Sequence, residues 1–285
     1  MMKTLVPACQ KGGVGKTFFG CQFPFYLVQE GLRVLHIDLD HQKNASRPLA
    51  VSGRAQLAPF TSNELLLGRA GAVPDAPFVS IQGDDALSSL ERQPEQHNAI
   101  VNALHDFIAS MGTRFDVCVI DTNPNPDIRY AAALICADFL LSPIELNQEA
   151  IDGIAALLHH QRYGYHRIKA RLNPGLELLG ILPNRVEATP FQRANFAQLV
   201  AAYAPLLIAI DGSSPVRYAY IANRTAIAEA QAAGVPLWQL RQVAAVGAGA
   251  LALQESMPVR SAAREAWRDI KPVFDTIARR MGFEL

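Results

Sequence analysis

Short, unbroken apolar runs alternate along the chain with stretches rich in Ala and Leu. Residues 4–9, Thr-Leu-Val-Pro-Ala-Cys, predict a buried strand that runs directly into a glycine-rich turn. A helix is predicted from about Thr17 to Gln29, with Gly31 ending it, and Leu32–Ile37 predicts a second strand closed by Asp38. Phe115–Ile120 predicts a third strand ending at Asp121, and its continuous apolar run suits a parallel strand covered on both faces. Phe139–Pro143, Leu176–Leu182 and Leu206–Ile210 are further strand candidates, with helical stretches between them. Strand alternating with helix predicts an α/β fold, a mostly parallel twisted sheet with helices on both faces.

Two stretches depart from that rhythm. Residues 50–110 are richer in Gly, Pro, Ser and polar residues, and predict a variable insertion with short helices inside a single domain of residues 1–285. Near the end, Ala263, Trp267, Ile270, Phe274, Ile277 and Met281 recur at three- and four-residue spacing, which predicts a helix over 262–283 docked on the core.

Composition narrows the class. With 285 residues, 50% of them hydrophobic and 18% charged, the chain can bury a real core, which excludes disorder as its main state. No run approaches the ~18 apolar residues of a membrane span, so stable membrane insertion is not expected. MMKTLVPACQ is not a secretory signal, and Cys9, Cys21, Cys118 and Cys136 form no CxxC pair. They read as small core residues of a cytoplasmic protein. Lys plus Arg and Asp plus Glu are 26 each, so any polyanion must be met by a local patch.

Lys11-Gly12-Gly13-Val14-Gly15-Lys16-Thr17 follows the first strand and opens the first helix, the context a phosphate loop requires. Glycines let several N–H groups converge on one phosphate, and the helix N-terminus adds its positive dipole. Gly12, Gly13, Val14, Gly15, Lys16, Thr17 and Phe18 are the expected nucleotide-binding residues. Lys16 would reach the outer phosphates, and the Thr17 hydroxyl would bind Mg²⁺. Asp38, Asp40 and Asp121 close predicted strands at the sheet edge where α/β proteins bind ligands. Asp121 and Asp38 are expected near the metal through water, with Asp40 near the γ-phosphate.

QKGGVGKT, IDLDHQKNAS and FDVCVIDTNPNPD together resemble the ParA group of deviant Walker ATPases, relatives of MinD. SPIELNQEAIDGI, GILPNR and NRTAIAEAQAAGVPL extend the resemblance over most of the chain outside residues 50–110. The resemblance implies the three-layer P-loop NTPase fold, ATP/ADP and Mg²⁺ as cofactors, and slow, partner-stimulated ATP hydrolysis. It implies that Lys11 crosses a dimer interface to the partner's ATP, that Asp40 orients or activates the attacking water, and that Asn184 contacts adenine. Lys11, Lys16 and Asp40 are therefore the expected catalytic set. A second lysine beside Lys16 is reasonable physically only with dense negative charge between them. Three positions depart from the group. His41 stands where Pro is usual, Thr122-Asn123-Pro124 replaces Cys/Ala-Pro-Pro, and Pro7 interrupts a central strand.

The resemblance further implies an ATP-dependent homodimer, non-specific DNA binding, a ParB-like adaptor, and partition of a plasmid, chromosome region or mobile element on the nucleoid. A positioner of a protein cargo, a MinD-like membrane-cycling regulator and a metabolic phosphate-loop enzyme are the alternatives. An N-terminal helix-turn-helix domain is not expected, because the loop begins at residue 11. One basic cluster holds Arg162, Arg167, Lys169 and Arg171. A second holds Arg185, Arg193, Arg217, Arg224 and Arg241 against Glu187, Asp211 and Glu229. Arg193, Arg217 and Arg224 are the preferred DNA contacts. From Glu255 onward six basic residues face five acidic ones, a poor balance for an anionic membrane.

Overall fold

The computed structural model describes residues 1–210, 214–241 and 258–285. Asp211 and Glu255, counted in the charge balances above, lie outside these residues. Among the described residues the sheet has seven strands, all parallel, in the order β3-β4-β2-β5-β1-β6-β7. The strands are β1 (Lys3–Pro7), β2 (Val34–Asp38), β3 (Gln56–Thr61), β4 (Phe78–Gln82), β5 (Val117–Asp121), β6 (Phe139–Ile144) and β7 (Glu177–Pro183). The three-layer α/β fold is therefore as expected.

Alternation along each strand divides the core into two layers. Leu5, Val34, Val117 and Val119 pack on one face of the sheet; Val6, Leu35, Cys118 and Ile120 pack on the other. The first face is covered by α1 (Lys16–Gln29), α2 (Ser46–Ser52), α9 (Thr225–Ala233) and α10 (Ser261–Arg280). The second is covered by α3 (Ser62–Leu66), α4 (His97–Met111), α5 (Ile128–Cys136), α6 (Gln148–His159), α7 (Tyr165–Arg171) and α8 (Pro190–Tyr203).

Helix α10 turns its apolar side onto α1. Phe274 lies against Phe18, Phe19, Phe23 and Tyr26, with ring centroids 5.1–5.9 Å away. The Tyr26 hydroxyl donates to Asp275 at 2.6 Å. That face is thus occupied by the protein's own core, and among the described residues no helix is long and apolar enough to cross a membrane.

Three expectations are corrected. Residues 50–110 hold short helices, but also β3 and β4, which complete one side of the sheet, and nearly all of the 15-residue α4. β3 hides from periodicity because it is an edge strand with a largely exposed face. β4 is interrupted by Ser80, whose hydroxyl meets His36 Nδ1 at 3.0 Å inside the core. Leu206–Ile210 is not a sheet strand. Leu206 closes a 3₁₀ turn, and the segment touches its neighbours through the single bridges Ile181–Leu207 and Ala209–Tyr218. Pro7 is accommodated because it is the last residue of β1, and the ladder resumes where Ala8 N–H donates to Leu141.

His36 sets an acid limit on stability. It is fully buried on β2, and burial pushes its imidazole down to about 3 from an ordinary 6.5. The unfolded chain takes up the proton and the folded chain does not. Its contribution to stability is therefore complete above pH 6.5 and is lost as pH falls toward 3. The slope from this residue approaches ~1.4 kcal/mol per pH unit below 6. Urea midpoints at pH 7 and pH 5 should differ less in His36→Leu than in the native protein; equal pH dependence would exclude His36 as the source.

Candidate nucleotide-binding site

The site forms where β1, β2 and β5 end together. Asp38 and Asp121 are direct register partners on β2 and β5, so strand pairing alone brings two carboxylates side by side. β1 lies on the other side of β5 and delivers the glycine loop to the same edge.

The loop turns into α1 at Gly15, whose φ of +97° belongs to the left-handed region. A Cβ there would stand 1.8 Å from the Asn184 amide nitrogen, so both conformation and space require glycine. Asn184 Nδ2 donates to Val14 O at 2.8 Å, which ties the end of β7 to the phosphate loop. Gly12, Gly13, Gly15, Lys16, Thr17, Phe18, Asp40 and Asn184 line one cleft of about 450 Å³, a volume suited to a small ligand. Val14, expected among the nucleotide-binding residues, does not line the cleft: its side chain is buried in the core and its carbonyl accepts from Asn184. Phe18 belongs mainly to the aromatic contact with α10, and its N–H closes the first turn on Gly15 O. Arg185 and Arg224 also line the cleft.

The two loop lysines point in different directions. Lys16 is buried, and its Nζ donates to Lys11 O at 2.9 Å. Burial pushes its ammonium below the ordinary lysine range, while the charges of Asp121 and Asp40 oppose that shift. Lys11 instead reaches outward, pairing with Glu149 at 3.0 Å and Asn147 at 3.3 Å at the start of α6.

The three carboxylates have different surroundings. Asp38 Oδ1 accepts from Asp40 N at 2.9 Å, and Oδ2 accepts from Ser46 N at 2.9 Å and Ser46 Oγ at 2.7 Å. Burial pushes Asp38 up to about 6 against those hydrogen bonds. Its geometry is that of a turn anchor, which weakens the expectation that it serves the metal. Asp121 is the contrary case: both oxygens are buried with no hydrogen bond inside ordinary limits, and among donors only the Thr17 hydroxyl stands close enough to favour its charged form. Burial, then the neighbouring Asp38 charge, drives its carboxyl well above the ordinary range. An orphaned buried carboxylate calls for a ligand, and with Thr17 at the same edge it fits a water-mediated Mg²⁺ site. Gly20 on α1 makes room for it, since a Cβ there would lie 3.2 Å from the Asp121 carboxyl carbon. Asp40 is buried and accepts from Gln42 N at 3.0 Å, and His41 Nδ1 lies 3.5 Å from its Oδ1.

The expected DNA contacts divide. Arg193 and Arg224 line a second groove of about 720 Å³ that adjoins the first, while Arg217 is not among its lining residues. Arg224 also pairs with Asp269 of α10 at 3.0 Å, and Arg193 donates to Ala188 O at 3.2 Å. Arg185 and Glu149 were not predicted as site residues. Arg185 holds a φ of +55° while donating to Gly13 O and Glu145. In sequence it shows only as a member of the second basic cluster and of the GILPNR string beside Asn184.

A glycine loop at a helix N-terminus, a buried lysine and an open carboxylate at the ends of parallel strands define a phosphate-loop nucleotide-binding protein. A family profile described as an AAA domain matches residues 2–178. Protein IncC of Escherichia coli is 34% identical over 256 residues, covering 86% of this chain and 65% of IncC, so the chain spans less than two thirds of that relative's length. The chromosome-partitioning ATPase Soj of Thermus thermophilus is 30% identical over 187 residues, 64% of this chain and 68% of Soj. The ATP complex of McdA from Cyanothece superposes with a TM-score of 0.72 over 100% of this chain and 98% of McdA; at 20% identity that likeness shows the fold. The chain belongs to the ParA/MinD-type P-loop ATPases.

Proposed function

We propose that the protein is an ATP-dependent dimerising ATPase of the ParA type, which binds DNA non-specifically and partitions a DNA cargo. The observation that carries this reading is the divergence of the two loop lysines. Lys16 faces the carboxylates of its own cleft, and Lys11 faces outward, held only by an exposed glutamate and an asparagine. A cation at that rim is placed to leave Glu149 for the phosphates of a second copy's ATP. IncC and Soj, a chromosome-partitioning ATPase, support the cellular role.

In this reading the loop N–H groups and Lys16 hold the phosphates, and Asn184 borders the base. Thr17 and Asp121 would hold Mg²⁺, which supplies charge neutralisation at the outer phosphates. Asp40 orients the attacking water. A ParB-like adaptor stimulates hydrolysis, and the ATP-bound dimer resides on the nucleoid.

Non-specific duplex binding supplies the test. The shared groove of Arg193 and Arg224 supports a phosphate-binding patch in a chain of zero net charge. With ATP, affinity measured by fluorescence anisotropy should be equal for two unrelated duplexes and should fall steeply with salt, with a log–log slope near −0.9 per phosphate neutralised. Arg193→Ala removes one contact from each subunit and should flatten that slope by about two units. Vesicle pelleting with no duplex binding at low salt would overturn the DNA reading.

A further inference from the structure

Arg129 lies on α5, outside the cleft lining, yet it joins both segments that carry the site's carboxylates. Its side chain is buried, and its fork grips Asp127: Nε lies 3.1 Å from Oδ2 and Nη2 2.5 Å from the same oxygen. Asp127 also caps α5 through Arg129 N at 2.9 Å and accepts from Asn123 Nδ2 at 2.8 Å. Asn123 stands two residues past Asp121. On the other side, Arg129 Nη1 donates to Leu39 O at 3.4 Å and to His41 Nδ1 at 3.2 Å, the two residues flanking Asp40.

Two physical points give this arrangement a purpose. Burying a guanidinium and a carboxylate carries a desolvation cost that a salt bridge barely offsets, so stability alone is a poor reason for the pair. A guanidinium has donors and no acceptor, so His41 Nδ1 uses its lone pair in the contact with Arg129. The other ring nitrogen lies 2.8 Å from the Gln42 side-chain amide, so both nitrogens are engaged and His41 serves here as a link.

We propose that Arg129, braced by Asp127, is a positioning residue for ATP hydrolysis. It holds the Leu39–His41 turn against the Asn123–Asp127 segment, so that Asp40 keeps its place over the outer phosphate. This rests on the role given to Asp40 above. Arg129 does not line the cleft, and its effect is transmitted through the Leu39 carbonyl and the His41 ring, on either side of Asp40. Hydrolysis should depend on it while ATP affinity does not.

The test is steady-state ATPase activity across ATP concentrations on the full chain, with thermal melting as the fold control. Arg129→Lys keeps a cation against Asp127, but a single ammonium cannot hold Asp127, Leu39 O and His41 at once. A misplaced reacting group of this kind loses roughly 10- to 100-fold in kcat, with KM expected within about two-fold of the native value. His41→Ala cuts only the outer contact, leaves the buried pair intact and should reproduce part of the loss. It decides the matter if Arg129→Lys melts early. Native kcat in a folded Arg129→Lys protein, or a KM rise at unchanged kcat, overturns the proposal. Asp40→Ala run alongside separates the two readings. If it hydrolyses ATP at the native rate, the role of Asp40 is wrong; if it is slow while folded Arg129→Lys is not, only the positioning role fails.

Discussion

Lys16→Ala is expected to weaken ATP binding by at least about 100-fold, because a charge-assisted contact to phosphate in a desolvated cleft is worth about 3 kcal/mol or more. The side chain is already buried beside Asp121 and Asp40, so no reach across solvent is needed for it to meet a triphosphate. Its present hydrogen bond to Lys11 O is a neutral-acceptor contact that a phosphate oxygen readily replaces. Removal also takes from Asp121 the lysine charge that opposes its burial and the neighbouring Asp38. The nucleotide's own negative charge then enters a cleft whose carboxyl cluster has lost its lysine. Isothermal calorimetry with ATP and Mg²⁺ checks the value. Native affinity in the alanine variant would remove Lys16 from the outer phosphates, and with it the assignment of the loop.

The elements that carry this site were legible because each has a local signature. Strands β2 and β5 are short apolar runs that stop at an aspartate, and the loop is a run of glycines with lysines. Pairing of Asp38 with Asp121 followed once the strands were parallel neighbours. β3 and β4 were not legible, since β3 is an edge strand with an exposed face and β4 is interrupted by Ser80, which meets His36 inside the sheet. Contacts between distant segments were equally hidden. Glu149 meets Lys11 across 138 residues, and Arg129 reaches His41 across 88. Asp127 and Arg129 read in sequence as polar residues at a helix start, with nothing to mark them as buried. Arg224 shows the converse limit. A count of charges along the chain placed it with the DNA contacts but could not show that folding sets it between the nucleotide cleft and the adjoining groove, paired with Asp269.

Separating binding from hydrolysis gives the second large effect. Asp40→Ala should bind ATP with near-native affinity, since Asp40 accepts from Gln42 N and lines the cleft without holding the phosphate loop. Its kcat should fall roughly 100-fold or more, the range associated with loss of a group that acts on the attacking water. With hydrolysis slowed, the ATP form should accumulate as a dimer in light scattering. Lys11→Ala should behave in the opposite way. It keeps Lys16 and the loop backbone, and so should bind ATP, but it loses the cation that faces away from its own cleft and should remain a monomer. Glu149→Gln refines the point. The Lys11–Glu149 pair is exposed on the glutamate side and is worth no more than about 1 kcal/mol, so removing the carboxylate should leave folding intact. It frees Lys11 for the second copy, and dimerisation should occur at equal or lower ATP concentration than in the native protein. A Lys11→Ala protein that dimerises as readily as the native one would show that this lysine serves its own chain alone.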